Sequence, residues 1–151
     1  MNLLNACMFG KLDQAKEALA NGEDPTYNDN IAIQWACFHG HTKIVELLLQ
    51  DGRADPTTYG NQPIKCASYN GYALLLKDGR ADPTTFYNYS IRAASENGHV
   101  DVVSLLLQDG RVEVPDSAIN HAATDEIKEM MIAYKYRVDG KEYQKAKNDF
   151  A

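Results

Sequence analysis

Apolar residues recur along this chain in short clusters at helical spacing, and a glycine follows most of them. Leu3, Ala6 and Cys7 precede Gly10, and Ala15, Ala18 and Leu19 precede Asn21-Gly22, which predicts two opening helices over 2–9 and 13–20. Lys11, Asp13, Lys16 and Glu17 give this half-unit the polar outer side expected of the first member of a stack. Further on, Ile33 and Ala36 mark a helix that stops at Gly40, and Ile44, Val45, Leu47, Leu48 and Leu49 mark a second over 42–50. The second is apolar nearly all round, so neighbours must cover it on both sides.

The pattern then repeats. Leu47-Leu-Leu-Gln-Asp-Gly-Arg-Ala-Asp-Pro-Thr-Thr58 returns as Leu74-Leu-Leu-Lys-Asp-Gly-Arg-Ala-Asp-Pro-Thr-Thr85 and begins again at Leu105-Leu-Leu-Gln-Asp-Gly-Arg-Val112. Asp24, Asp55 and Asp82, each before a proline, lie 31 and 27 residues apart, the size of one helix pair. The predicted architecture is an all-α stacked array forming one domain over 1–136. It has an N-terminal cap at 1–23, repeats at 24–54, 55–81 and 82–112, and a C-terminal cap at 113–136. Each Asp-Pro-Thr is expected to open a polar, hairpin-like loop.

The second repeat is four residues short. Tyr72-Ala73 stands between Gly71 and the leucines where the first repeat has His41-Thr-Lys-Ile-Val-Glu46. Four residues are about one helical turn, so the leucines rotate by only about 40°. A stub of under two turns is predicted, with Tyr72 filling part of the lost volume and a weaker local interface. In the C-terminal cap, 115–123 reads as a first helix with Ile119 and Ala122 inward, and 125–136 as a closing helix. Residues 137–151 read as a polar tail with a turn at Val138-Asp-Gly140 and weak helical tendency.

Charge and cysteine usage narrow the function classes. A net charge of −6 and a pI near 5.1 supply no basic footprint for nucleic acid or anionic membranes. The first ten residues lack a basic lead and a long apolar run, and no apolar stretch of membrane-spanning length occurs. With Met1 as the true start, the chain reads as soluble and unexported. Cys7, Cys37 and Cys66 are odd in number and lie in helical patterns, which suits buried thiols in a reducing, intracellular setting.

Catalytic and metal chemistry find little support. His39 and His41 lie near Cys37, yet His41 and His99 share one repeat position after a helix-ending glycine, where a loop-tying hydrogen bond is the simpler account. No paired Cys-x-x-Cys spacing accompanies them, so no metal is expected. His121 falls at an inward helix position and reads as a core or cap histidine. No nucleophile elbow or phosphate loop occurs, and no cofactor is implied. Arg53, Arg80 and Arg111 form a row that could read anions. Each follows Asp-Gly at a helix end, however, where the helix dipole and a neighbouring unit's Asp account for it.

In Gln62-Pro-Ile-Lys-Cys-Ala67, Gly40-His41, Gly98-His99, Ile44-Val-Glu-Leu-Leu-Leu49, Val102-Val-Ser-Leu-Leu-Leu107 and Asn21-Gly-Glu-Asp24, the chain resembles ankyrin repeats over residues 1 to about 134. It departs from their pattern in the longer Asp-Gly-Arg-Ala-Asp and at Ile31-Ala-Ile33, Tyr89-Ser-Ile91 and Ser117-Ala-Ile119, where Thr-Pro-Leu is usual. The variant with Asn-Tyr-x-Ile-Arg is similar to ankyrin repeats multiplied in giant DNA viruses of amoebae, which would place the protein in host cytoplasm. The resemblance implies an ankyrin-repeat solenoid that grips a protein partner on a concave face made by finger loops and first-helix ends. By register the finger positions are Tyr27, Asn28 and Asn30, then Thr58, Tyr59 and Asn61, then Thr85, Phe86 and Asn88. The helix-end positions are Met8 and Phe9, Phe38 and His39, Tyr69 and Asn70, and Glu96 and Asn97. Aromatics beside asparagines in both rows have the composition of an interface centre. The expected molecule is a monomeric, non-catalytic binding module. The alternative is a structural element that self-associates within a larger assembly.

Overall fold

A computed structural model describes residues 2–137 and 148–150, and most of the expected polar tail lies outside them. Among the described residues every regular element is a helix: α1 (Leu3–Phe9), α2 (Leu12–Ala20), α3 (Tyr27–Phe38), α4 (Thr42–Asp51), α5 (Thr58–Asn70), α6 (Leu74–Asp78), α7 (Thr85–Glu96), α8 (Val100–Asp109), α9 (Asp116–Asn120) and α10 (Asp125–Lys135). The chain divides into two compact units. One comprises Met1–Ala67 and Leu74–Asp82, the other Ser68–Ala73 and Pro83–Ala151. The division falls inside the repeat that lacks four residues.

In the first unit α1 packs on α2 and α3, α4 on α2 and α3, and α6 on α4. Asn2 caps α1 by accepting from the Asn5 backbone N–H at 2.9 Å, which satisfies one of the orphan donors of a helix start. Ala6, Ala15 and Ala36 are fully buried, and these small side chains let the helix axes approach around Ile33, Ile44, Leu48, Ile64 and Leu75. In the second unit α7 packs on α8 and α9, and α10 on α8 and α9, around Ile91, Val102, Val103, Leu106, Ile119, Ile127 and Met131.

In each leucine triplet the middle residue, Leu48, Leu75 or Leu106, is buried. The outer leucines of α4, Leu47 and Leu49, are only half-buried, so the all-round cover expected of that helix is partial. Each middle leucine contributes about 1.5–3 kcal/mol by leaving water. Loss of about one turn before Leu75 leaves the register intact, and α6 is a stub of five residues. Tyr72 is half-buried.

A histidine-on-glycine contact ties one helix pair to the next within each unit. Gly10 ends α1 at φ +70, and a Cβ there would stand 2.7 Å from His41 Cε1. The His41 Nε2–H donates to the Met8 carbonyl at 3.2 Å. In the second unit the contact recurs. A Cβ on Gly71 (φ +81) would lie 2.7 Å from His99 Nδ1, and His99 Nε2–H donates to the Tyr69 carbonyl at 2.7 Å. Glycine is needed at both places for the left-handed backbone and for the ring laid against it.

Two expectations about the C-terminal cap change. The α9 helix stops at Asn120, because the Ala123 N–H leaves to donate to the Ser95 carbonyl at 2.9 Å. His121 is exposed at that helix end, its Nδ1 2.8 Å from the Ser117 carbonyl, and does not face the core.

Candidate functional site

The fingers are left-handed turns. Asn28, Asp29 and Asn30 have φ/ψ of 49/55, 56/48 and 59/35; Tyr59, Gly60 and Asn61 repeat this at 50/46, 61/45 and 63/33. Phe86, Tyr87 and Asn88 do so again at 54/51, 57/49 and 57/41. Each turn is closed by an i→i−4 bond, from Asn30 N to Thr26 O, Asn61 N to Thr57 O and Asn88 N to Thr84 O, at 3.0, 2.9 and 3.0 Å. This replaces the expected hairpin-like loop. Asp55 makes the sharp entry by accepting from both the backbone N–H (2.8 Å) and the hydroxyl (2.7 Å) of Thr57. Asp24 does the same with Thr26, and these bonds, backbone first, hold the Asp24 carboxyl below its usual range.

The last residue of each turn is a clamp. Asn30 Oδ1 accepts from Asp55 N at 2.8 Å, Asn61 Oδ1 from Asp82 N at 2.7 Å, and Asn88 Oδ1 from Glu113 N at 3.0 Å. Asn30 is buried, and so is Thr58, whose hydroxyl donates to the Asp29 carbonyl at 2.7 Å. Asn30, Asn61, Asn88 and Thr58 thus hold a scaffold role that register alone did not assign. From α3, Gln34 donates to the Asp29 carbonyl at 2.9 Å, and from α7, Arg92 donates to the Phe86 carbonyl at 3.3 Å. These long side chains brace the turns from below.

The aromatic residues of both rows stand in solvent. In the first unit Phe9, Tyr27, Phe38 and Tyr59 are 57, 69, 67 and 58% exposed. In the second, Tyr69, Phe86 and Tyr87 are 52, 56 and 91% exposed. Tyr87, the most exposed of them, was passed over in the reading by register. It stands where the other fingers carry Asp29 and Gly60, so its signal was there, as an aromatic at a position where the repeats disagree. The remaining positions are mixed. Asn28, His39, Glu96 and Asn97 are exposed, Met8, Asn70 and Thr85 half-buried. Asn97 donates to its own helix at the Ala93 carbonyl, at 2.8 Å.

A left-handed turn disfavours residues with a Cβ by about 1–2 kcal/mol each, with Asn and Asp the most tolerant. Asn28-Asp29-Asn30 builds the turn from tolerant residues, whereas Phe86-Tyr87-Asn88 builds the same turn from two aromatics whose rings gain little burial. The fold therefore does not call for rings at these positions.

The arginine row is occupied by acids. Arg53 forks onto Asp51 at 2.7 and 2.9 Å, Arg80 onto Asp78 at 2.8 and 2.9 Å, and Arg111 onto Asp109 at 2.7 and 2.8 Å. The forked partner is the Asp of the same Asp-Gly-Arg, where a neighbouring unit's Asp was expected, and Arg53 and Arg80 also feel the charges of Asp24 and Asp55. Arg80 also reaches the Ala54 carbonyl of the preceding repeat at 3.2 Å. The guanidinium hydrogen bonds hold the three carboxyls below their ordinary range. Burial pushes the Cys7 thiol up to about 12 and raises that of Cys37, which keeps both protonated and inert. Among the described residues no group of three or more His, Cys, Asp and Glu is placed to hold a metal ion, and no helix is long and apolar enough to cross a membrane.

Stacked helix pairs with fingers between them define a helical repeat protein. A sequence profile for ankyrin repeats, in three copies, matches residues 3–87, more than half of the chain. The chain belongs to the ankyrin repeat family. No curated protein matches it. Ankyrin repeats are in general protein–protein interaction modules and typically non-catalytic.

Proposed function

We propose that this chain is a monomeric, non-catalytic protein-interaction module that captures a partner protein on its finger tips and first-helix ends, with 1–136 as its binding domain. The observation that carries the proposal is the placing of Tyr59, Phe86 and Tyr87 in a backbone conformation that disfavours them, with their rings in solvent. Strain retained without burial points to a use outside the fold. Exposed aromatics beside amides supply rigid contact area and adaptable hydrogen bonds. A specific partner covers roughly 800 Å² of such a surface. A viral source, with host cytoplasm as the working place, belongs to the same proposal and rests on the likeness of the repeat variant.

Affinity capture with the intact chain tests the reading. A partner retained by the wild type and lost by the double substitution Tyr59→Ala, Tyr69→Ala, with thermal unfolding nearly unchanged, is the expected result. Equal retention by the double variant refutes the assignment of these positions.

A further inference from the structure

A slot of ≈ 310 Å³ opens in the first unit, lined by Ile31, Gln34, Trp35, Phe38, Gln62 and Cys66. It arises from a step in size along the array, because Trp35 stands at the position where the next repeat carries Cys66. The indole wall is braced from behind. Its ring stacks on His39 at 5.4 Å and 13°, and His39 stacks on His41 at 5.9 Å, the ring tied to the Met8 carbonyl. Phe38, 67% exposed, forms another wall.

The lining carries no charged side chain, and its hydrogen-bonding groups are two primary amides, the indole N–H of Trp35, which can only donate, and a thiol. Gln34 uses one N–H on the Asp29 carbonyl. The Gln62 amide points an N–H at Cys66 Sγ, 3.5 Å away, a weak acceptor that any carbonyl outcompetes. The slot thus matches an uncharged ligand with apolar faces and free carbonyl acceptors. A charged segment finds no counter-charge there. An amphipathic helix brings apolar side chains, but its own hydrogen bonds consume its backbone carbonyls and leave the amides unmatched. A polyproline II segment has every carbonyl unpaired, presents apolar pyrrolidine rings, and is ordered before it binds.

We propose that this slot takes a proline-rich segment of a partner protein in the polyproline II conformation, its rings against Trp35 and Phe38 and one carbonyl accepting from Gln62. The proposal rests on the protein-binding reading above and narrows it to one chemistry.

Trp35 is the sole tryptophan of the chain, so its emission reports on the slot directly. The full chain is titrated with an oligoproline peptide, with a leucine-faced alanine helix and with a Gly/Ser peptide. Oligoproline alone should shift the emission saturably to shorter wavelength. Phe38→Ala should weaken it by roughly tenfold or more, and Gln62→Ala by about fivefold, the worth of one neutral hydrogen bond. Both variants should keep the wild-type circular dichroism. Saturation by the helical peptide instead, an equal response to Gly/Ser, silence with all three peptides, or a shift on concentrating the chain by itself overturns the proposal, the last by seating a second copy in the slot. Partner capture separates the two levels of the reading. Silent oligoproline with capture still lost in the Tyr59→Ala, Tyr69→Ala variant rejects only the proline-rich occupant, whereas undiminished capture rejects the binding face itself.

Discussion

Tyr87 is the position at which stability and use should conflict most visibly. Its backbone lies at φ 57, ψ 49, between Phe86 and Asn88 in the same region, and its side chain is 91% exposed. Asparagine at 87 keeps the turn and relieves a residue cost of about 1–2 kcal/mol in part, since Asn visits this region readily. The lost burial is small. A tyrosine buries about 150–250 Å² when fully covered, and a ring this exposed forfeits only a few tenths of a kcal/mol at about 25 cal/mol per Å². The expected net gain for Tyr87→Asn is about 0.5–1 kcal/mol, a rise of roughly 2–4 °C in Tm for each kcal/mol in a chain of this size. Tyr87→Ala keeps the Cβ clash, as asparagine does, but brings no short polar side chain to bond the local backbone, so it should leave stability near the wild type. Urea unfolding of the three proteins, followed by far-ultraviolet circular dichroism, reads the difference. An asparagine variant no more stable than the alanine variant would falsify the claim that the ring is held against backbone preference. If partner capture falls as stability rises, the conflict is established at a single residue.

Three further outcomes follow from the same geometry. Asn61→Gly preserves the left-handed backbone but leaves the Asp82 N–H without its 2.7 Å acceptor, so urea unfolding should show a loss of about 1–3 kcal/mol; Asn61→Ala adds the Cβ cost and should lose more, and equal losses would remove the backbone part of the argument. Asp51, Asp78 and Asp109 have folded-state pKa values lowered chiefly by hydrogen bonds from Arg53, Arg80 and Arg111. Their contribution is complete above the unfolded carboxylate value of about 3.9 and is lost as pH falls through the lower folded values, so the triple Arg→Met variant should lose stability less steeply than wild type below about pH 4, and parallel acid titrations of the two proteins contradict this. Amide exchange should run faster in Leu74–Asp78 than in Thr42–Asp51, because five residues hold at most one internal i→i−4 bond; slower exchange in the stub refutes that account of the deletion.

The parts of the fold legible in the sequence are those set by period. The leucine triplets and the glycines after each helix fix helix spacing and helix stops locally, and the middle leucines 48, 75 and 106 are buried in register even though four residues are missing before one of them. The histidine ties were legible too, because His41 and His99 share a position after a glycine. The finger conformation was not. Asn28-Asp29, Tyr59-Gly60 and Phe86-Tyr87 share no residue, and aromatic residues by themselves favour extended backbone, so the local signal for a left-handed turn thins from Asn28-Asp29-Asn30 to Gly60-Asn61 to Asn88 alone. Side-chain bonds support it: each Asn Oδ1 accepts from a backbone N–H at the start of the next repeat, and nearer in the chain Gln34 and Arg92 donate to the carbonyls of the first and third fingers.

Asn30, Asn61 and Asn88 show how constancy and variation divide labour in this chain. The triplet with Asp-Gly-Arg is constant because it builds the stack, and by the same criterion an asparagine present in all three fingers should be scaffold, as its hydrogen bonds make it. The two positions before it vary freely from Asn-Asp to Tyr-Gly to Phe-Tyr, yet all three pairs accept one backbone geometry. The clamp therefore frees those positions from specifying the turn, and any side chain placed there is carried at a fixed angle into solvent. An aromatic at such a site gains little burial and works against the backbone preference. On the protein-binding function proposed above, such a ring is explained by what it meets outside the chain, and the search for a partner begins at Tyr59, Phe86 and Tyr87.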